Sequence, residues 1–125
     1  MDRVLIINDS PSINMMLQFR LEAENFAADT ALTGKEGIEK VKKNNYQLLI
    51  LDYGLPDIKG AEVCKIIRKD DSIQYLPIVY ISAKDEDELA RIVKETGADG
   101  YLSMPYAGNA FVDTIKKYIL LGKEG

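Results

Sequence analysis

Histidine is absent from all 125 residues of the chain. That absence removes the imidazole as a general base, as a metal ligand and as a carrier of phosphoryl groups. Cysteine is nearly as scarce. Cys64 stands alone, so there is neither a disulfide framework nor a thiolate metal cluster. Set among Val63, Ile66 and Ile67, it reads as a small buried hydrophobe, and a reducing, cytoplasmic compartment is expected. No apolar run approaches the roughly 20 residues of a membrane span. The opening Met1-Asp2-Arg3-Val4 leads directly into an apolar segment and reads as carrying no secretory signal. Neither charge sign dominates: the net charge is −4, with acidic and basic residues intermixed, so the clustered basic face of a nucleic-acid binder is missing. Any chemistry therefore rests on carboxylates, hydroxyls, lysines and backbone amides.

What is present alternates between two patterns. The length suits one domain, residues 1–125 with a core of about 3–121. Val4-Leu5-Ile6-Ile7, Leu48-Leu49-Ile50-Leu51 and Ile78-Val79-Tyr80-Ile81 are short, continuously apolar runs, as expected of strands covered on both faces. Ala27 to Leu32 is a weaker strand, and Gly100 to Ser103 a short last one. Between them lie helical patterns. Ser10 and Pro11 open one that runs towards Glu24 with Ile13, Leu17 and Leu21 inward. Thr33 and Glu36 form a capping box for a second, which ends near Asn44 and buries Ile38 and Val41. A third spans about Ala61 to Lys69 with Val63, Ile66 and Ile67 inward, after a loop from Tyr53 to Gly60. Asp85 and Glu88 start a fourth that Gly97 stops. The fifth, Asn109 to about Leu120, turns Phe111, Ile115, Tyr118 and Ile119 to one side. Five strands alternating with five helices predict an α/β fold: a parallel sheet with helices on both faces.

Such sheets bind ligands beyond the carboxyl ends of their strands. The residues at those ends are Asn8 and Asp9, Asp52, Ser82 and Met104. Two converging carboxylates repel unless one is protonated or a cation joins them. With only oxygen ligands, a hard divalent cation such as Mg²⁺ is the natural occupant. A carboxylate beside Mg²⁺, with a hydroxyl nearby, has the makings of a nucleophile toward phosphorus.

Four segments in order carry a resemblance. They are Val4-Leu-Ile-Ile-Asn-Asp-Ser10, Leu51-Asp-Tyr-Gly-Leu-Pro-Asp-Ile-Lys-Gly60, Pro77-Ile-Val-Tyr-Ile-Ser-Ala83 and Gly97-Ala-Asp-Gly-Tyr-Leu-Ser-Met-Pro-Tyr106. Together they resemble the receiver domain of two-component response regulators from Val4 to Leu120, which implies the (βα)5 flavodoxin-like receiver fold. The resemblance implies that Asp52 accepts a phosphoryl group from a phosphohistidine on a sensor histidine kinase or histidine phosphotransfer protein. It also implies Mg²⁺ held by Asp9, Asp52 and the backbone carbonyl of Gly54, with Asn8 acting through water. Ser82 matches the switch hydroxyl and Tyr101 the switch aromatic. The output face for a downstream protein is then roughly Asp85 to Leu120.

Two positions depart from the family pattern. Asn8 replaces a first acidic residue, which implies weaker Mg²⁺ binding. Met104 replaces the lysine that pairs with the phosphoryl group, and methionine neither donates a hydrogen bond nor carries charge. The two changes compensate in formal charge. Three aspartates with a lysine give −2, and Asn8, Asp9, Asp52 and Met104 also give −2. The directed cationic contact is still lost, a kind of interaction worth about 1.5–3 kcal/mol. Lys84, two residues after Ser82, is a candidate substitute. Pro105 matches the family's proline, whose preceding peptide bond is often cis there. The alternative reading is a pseudo-receiver, a phosphorylation-independent interaction module on the same fold. Enzyme readings fail on missing motifs: no P-loop signature is present, Asp9-Ser10-Pro11 is not a flavodoxin phosphate loop, and Asn8-Asp9-Ser10 lacks the paired aspartates of haloacid-dehalogenase phosphatases. The chain is thus expected to be a phosphoacceptor switch rather than an enzyme.

Overall fold

The computed structural model describes residues 1–103 and 110–124, with side chains to Lys123. The β-branched and leucine-rich runs form strands β1 (Arg3–Ile7), β2 (Ala27–Ala31), β3 (Leu48–Asp52), β4 (Ile78–Ser82) and β5 (Gly100–Ser103). The helices between and after them are α1 (Pro11–Ala23), α2 (Gly34–Lys43), α3 (Gly60–Lys69), α4 (Glu86–Thr96) and α5 (Ala110–Glu124). All pairings are parallel, in the order β2-β1-β3-β4-β5. The chain leaves β1 toward one edge and returns past it to β3, so the strand order reverses between these two neighbours.

Alternation along the strands divides the core. Leu5, Ile7, Leu49, Leu51, Ile78 and Tyr80 pack beneath α2, α3 and α4 through Ile38, Val41, Val63, Cys64, Ile67 and Ile92. Val4, Ile6, Leu48, Ile50, Val79 and Ile81 meet Leu17 and Leu21 of α1 and Phe111, Ile115 and Ile119 of α5 on the other face. Burying a side chain of this size stabilises by about 1.5–3 kcal/mol, which is why the central strands read as unbroken apolar runs. Among the described residues, no helix is long and apolar enough to cross a membrane.

The expected caps form. Ser10 Oγ accepts from the Ile13 N–H at 3.3 Å, Thr33 Oγ1 from Glu36 at 3.1 Å, and Asp85 Oδ1 from Glu88 at 2.8 Å. The Glu36 carboxylate closes its box on the N–H of Leu32, at 2.9 Å, rather than on that of Thr33. Gly97 ends α4 at φ +83°, a left-handed conformation that glycine reaches without cost from a Cβ.

One expected inward residue faces differently. Ile66 is 37% exposed, because the buried stripe of α3 runs through Gly60, Val63, Cys64 and Ile67 and leaves Ile66 at its margin. On α1, Ile13 is half-buried and packs with the buried Leu17 and Leu21 against the core as expected, and Asn14 joins the buried line. Met15 and Phe19 are 70% and 73% exposed.

A structural residue with no sequence motif is Arg68, at the end of the sheet opposite the carboxyl ends of its strands. Its guanidinium donates to the carbonyls of Gly97 (2.8 Å), Gln74 (2.9 Å) and Leu76 (2.6 Å) and to Asp99 Oδ2 (2.8 Å). Asp99 Oδ2 also accepts the N–H of Ile78 at 2.8 Å. One planar fork thus joins α3 to the loops entering β4 and β5. Arg68→Met keeps the aliphatic stem and is expected to cost about 1.5–3 kcal/mol, the scale of a lost charged hydrogen bond. Urea unfolding checks this as a lower midpoint at unchanged slope.

Candidate functional site

The reversal between β1 and β3 opens a crevice at the carboxyl end of the sheet. Ile7 and Leu51 are register partners, so Asn8 and Asp9 leave β1 beside Asp52, the last residue of β3. Asp52 in turn pairs with Ile81, one residue before Ser82. The result is a cleft of about 290 Å³ lined by Asn8, Asp9, Asp52, Gly54, Ser82 and Lys84, with Ser10, Ile13, Tyr53, Ile81 and Ala83. Six of the sequence-predicted site residues therefore share one cleft. Tyr101 lies apart, half-buried on β5 opposite Tyr80 and packed on the α2/α3/α4 side of the core. Met104 and Pro105 lie outside the described residues.

Asp52 is only half-exposed, and its Oδ1 accepts the N–H of Gly54 at 3.1 Å. Burial pushes its carboxyl above the ordinary value; the Gly54 hydrogen bond works against this, and the charge of Asp9 adds to the rise. Asn8 is 4% exposed. The Ser82 hydroxyl accepts the Lys84 N–H at 3.1 Å. The Lys84 ammonium sits 3.4 Å from Glu88 Oε1 and 5.7 Å from the centre of the Tyr53 ring.

The loop after Asp52 is fixed from behind. A Cβ at Gly60 would lie 2.7 Å from the Asp52 carbonyl oxygen and 2.7 Å from Tyr53 Cα, so only glycine lets α3 begin this close to the strand end. Asp57 in the same loop accepts the N–H groups of Gly34 (2.9 Å) and Lys35 (3.1 Å), capping α2 from a distance. These bonds, Gly34's foremost, hold its carboxyl below the ordinary range.

Asn14 and Tyr53 also escaped the sequence reading. The Asn14 amide, 3% exposed, donates to the carbonyl of Asn8 at 2.9 Å and to that of Ala31 at 3.4 Å. The Ala31 carbonyl also receives the Asn8 N–H at 3.0 Å, so the backbone leading into Asp9 is tied to the end of β2. The signal for Asn14 was a polar residue three before Leu17 and seven before Leu21. Tyr53 stacks edge-on against Tyr80, ring centres 5.5 Å apart.

The donor set fits a hard divalent cation. It is oxygen throughout, and the two carboxylates are in the uncompensated state that a cation relieves. Among the described residues no three acidic, cysteine or histidine side chains cluster as a metal site. A cation here would draw its remaining ligands from backbone oxygen and water, as is usual for Mg²⁺.

Residues 4–116 match the family model described as the response regulator receiver domain. The chain belongs to that family. It is 37% identical over 108 residues to the response regulator ArlR of Staphylococcus saprophyticus, covering 85% of this chain and 47% of that protein. It is 30% identical over 121 residues to the phosphate regulon transcriptional regulatory protein PhoB of Rhizobium meliloti, covering 97% and 53%. The chain thus spans about half the length of these curated relatives. Among solved structures, the Vibrio cholerae chemotaxis response regulator CheY4 matches at TM-score 0.88 and 27% identity, over 94% of this chain and 98% of that one. The response regulator TrrA of Thermotoga maritima, solved in complex with Mg(2+)-BeF, matches at TM-score 0.83 and 30% identity over 94% and 99%. The fold and the receiver resemblance read from the sequence are both correct.

The raised Asp52 carboxyl has a consequence for stability. Between the ordinary value of 3.8 and its higher folded value, the folded state holds more protons than the unfolded state, so stability falls as pH rises. Above that window the full cost of an ionised Asp52 persists. An asparagine at this position would carry no charge and still accept from Gly54. Asp52→Asn is therefore expected to raise the Tm at pH 7 without divalent cations, with the gain shrinking as pH approaches 3.8. Thermal melts at several pH values check this, and a lower Tm at pH 7 contradicts it.

Proposed function

We propose that this receiver domain accepts a phosphoryl group on Asp52 from a phosphohistidine of a sensor histidine kinase or histidine phosphotransfer protein. The observation that carries the reading is the shared cleft: Asp52 half-buried at the β3 end, Asp9 beside it, and Ser82 across from them. An Asp52 carboxylate oxygen bonds to phosphorus as the bond from phosphorus to the donor's imidazole nitrogen breaks. That nitrogen keeps the electron pair and takes a proton from solvent. The raised carboxyl keeps the oxygen basic, and burial limits the water competing for it.

Asp9, Asp52 and the Gly54 carbonyl would hold Mg²⁺, with Asn8 contributing through water. When bound, the ion supplies positive charge that offsets the carboxylates and the incoming phosphoryl oxygens. Ser82 then turns toward the phosphoryl group and Tyr101 moves inward, altering the face of α4, β5 and α5 for a downstream protein. The register supports this coupling, since Ser82 pairs with Ser103, and Tyr101 with Tyr80, across β4 and β5.

One observation favours the second reading, an interaction module that works without phosphorylation. Residues 104–109 contain no lysine or arginine, and Lys84 is paired with Glu88.

Acetyl phosphate with Mg²⁺, followed by intact-mass measurement, separates the two. The expected result is a labile single phosphoryl adduct that requires Mg²⁺ and is lost in Asp52→Asn. A folded protein that takes no adduct from acetyl phosphate or from a phosphohistidine donor supports the interaction module. Mg²⁺ alone is expected to raise the Tm of the wild type more than that of Asp52→Asn, because ligation of the folded state by both carboxylates is linked to stability.

A further inference from the structure

A phosphoryl group on Asp52 brings about two negative charges into a cleft that already holds two carboxylates. The supply of positive side chains is small. Among the described residues lining the cleft, Lys84 is the one cation. The stretch after β5, Met104-Pro-Tyr-Ala-Gly-Asn109, contributes none by its composition.

Lys84 is held in a particular way. Its backbone is pinned at both ends, the N–H donating to Ser82 Oγ at 3.1 Å and the carbonyl accepting from Ser103 Oγ at 3.3 Å. Its side chain is not pinned: 40% exposed, it is paired one turn on with Glu88 Oε1 at 3.4 Å. Its ammonium already lies over the ring of Tyr53, the residue after Asp52. The backbone of Glu88 is fixed as well, since its N–H donates to the Asp85 cap at the start of α4.

From this arrangement we infer that Glu88 is a latch on Lys84. Glu88 withholds the cleft's cation while Asp52 is unmodified and yields it to the phosphoryl oxygens once Asp52 is phosphorylated. The inference rests on the phosphoacceptor reading and deepens it. An exposed ion pair is weak, and a dianion across the Tyr53 ring outcompetes a single carboxylate. Lys84 then contacts the phosphoryl group directly, and Glu88 is a positioning residue acting through it. The exchange also frees the first turn of α4 from the loop that follows β4, so that phosphorylation alters a helix at the proposed output face.

The test is a double-mutant cycle on the rate of adduct formation from acetyl phosphate with Mg²⁺, read by intact mass. Glu88→Gln is expected to speed the reaction about two- to fivefold, the range of an exposed ion pair. Lys84→Met is expected to slow it, and Glu88→Gln is expected to change nothing in the Lys84→Met background. Glu86→Gln, the same charge change elsewhere in the first turn of α4, controls for the overall field and is expected to leave the rate near wild type. Both latch side chains are exposed, so the variants fold, and Tm confirms it. The latch is overturned if Glu88→Gln leaves the wild-type rate unchanged, or if its acceleration survives without Lys84. A wild type that forms no Asp52-dependent adduct from acetyl phosphate or a phosphohistidine donor instead overturns the phosphoacceptor reading, and the latch with it.

Discussion

Two carboxylates held at the ends of adjacent parallel strands are the constraint around which this domain is arranged. Asp9 and Asp52 come together because β1 and β3 are neighbours in the sheet, although α1, β2 and α2 separate them in the chain. Burying a carboxylate at the strand end raises the free energy of the folded state, and the charge of Asp9 adds to that cost; the raised carboxyl of Asp52 is its local sign. The apolar strands on either side offset it. Val4 to Ile7 and Leu48 to Leu51 are fully buried, and their packing sets the positions from which the two aspartates emerge.

The supporting contacts act on the backbone near the site rather than on the carboxylates. Gly60 lets α3 start against the Asp52 carbonyl, Asp57 caps α2 from the same loop, and Asn14 ties the Asn8 carbonyl toward the end of β2. Each fixes a strand end or the loop that follows it. Precise placement of a reacting group depends on such support, because a shift of about 1 Å is costly in rate. Arg68 performs the equivalent service at the opposite end of the sheet, where it ties α3 to the loops entering β4 and β5.

Charge economy marks the strand-end residues of this receiver. Asn8 and Met104 carry no charge beside Asp9 and Asp52, which gives the four a formal charge of −2. What remains on the cationic side is Lys84, whose ammonium is shared between Glu88 and the face of Tyr53. Its side chain is long and half-exposed, so the energy differences between its partners are small.

Much of this was legible in the sequence, for identifiable reasons. Continuous apolar runs marked the central strands, Ser10-Pro11, Thr33 and Asp85 marked helix starts, and the acidic and hydroxyl residues at strand ends marked the cleft. Ile66 was misjudged because helical spacing fixes a stripe only to within one neighbour, and packing chooses which residue lies at its margin. The sequence by itself determined the element order, the apolar faces and the identity of the chemical groups, since these follow from local periodicity and residue type. Tertiary structure alone decided that β1 and β3 adjoin, that Asn14, Asp57 and Gly60 hold the strand ends, and that Lys84 rests on Glu88. Those are contacts between residues distant in the chain or choices among rotamers of nearly equal energy, and neither leaves a periodic trace in the sequence.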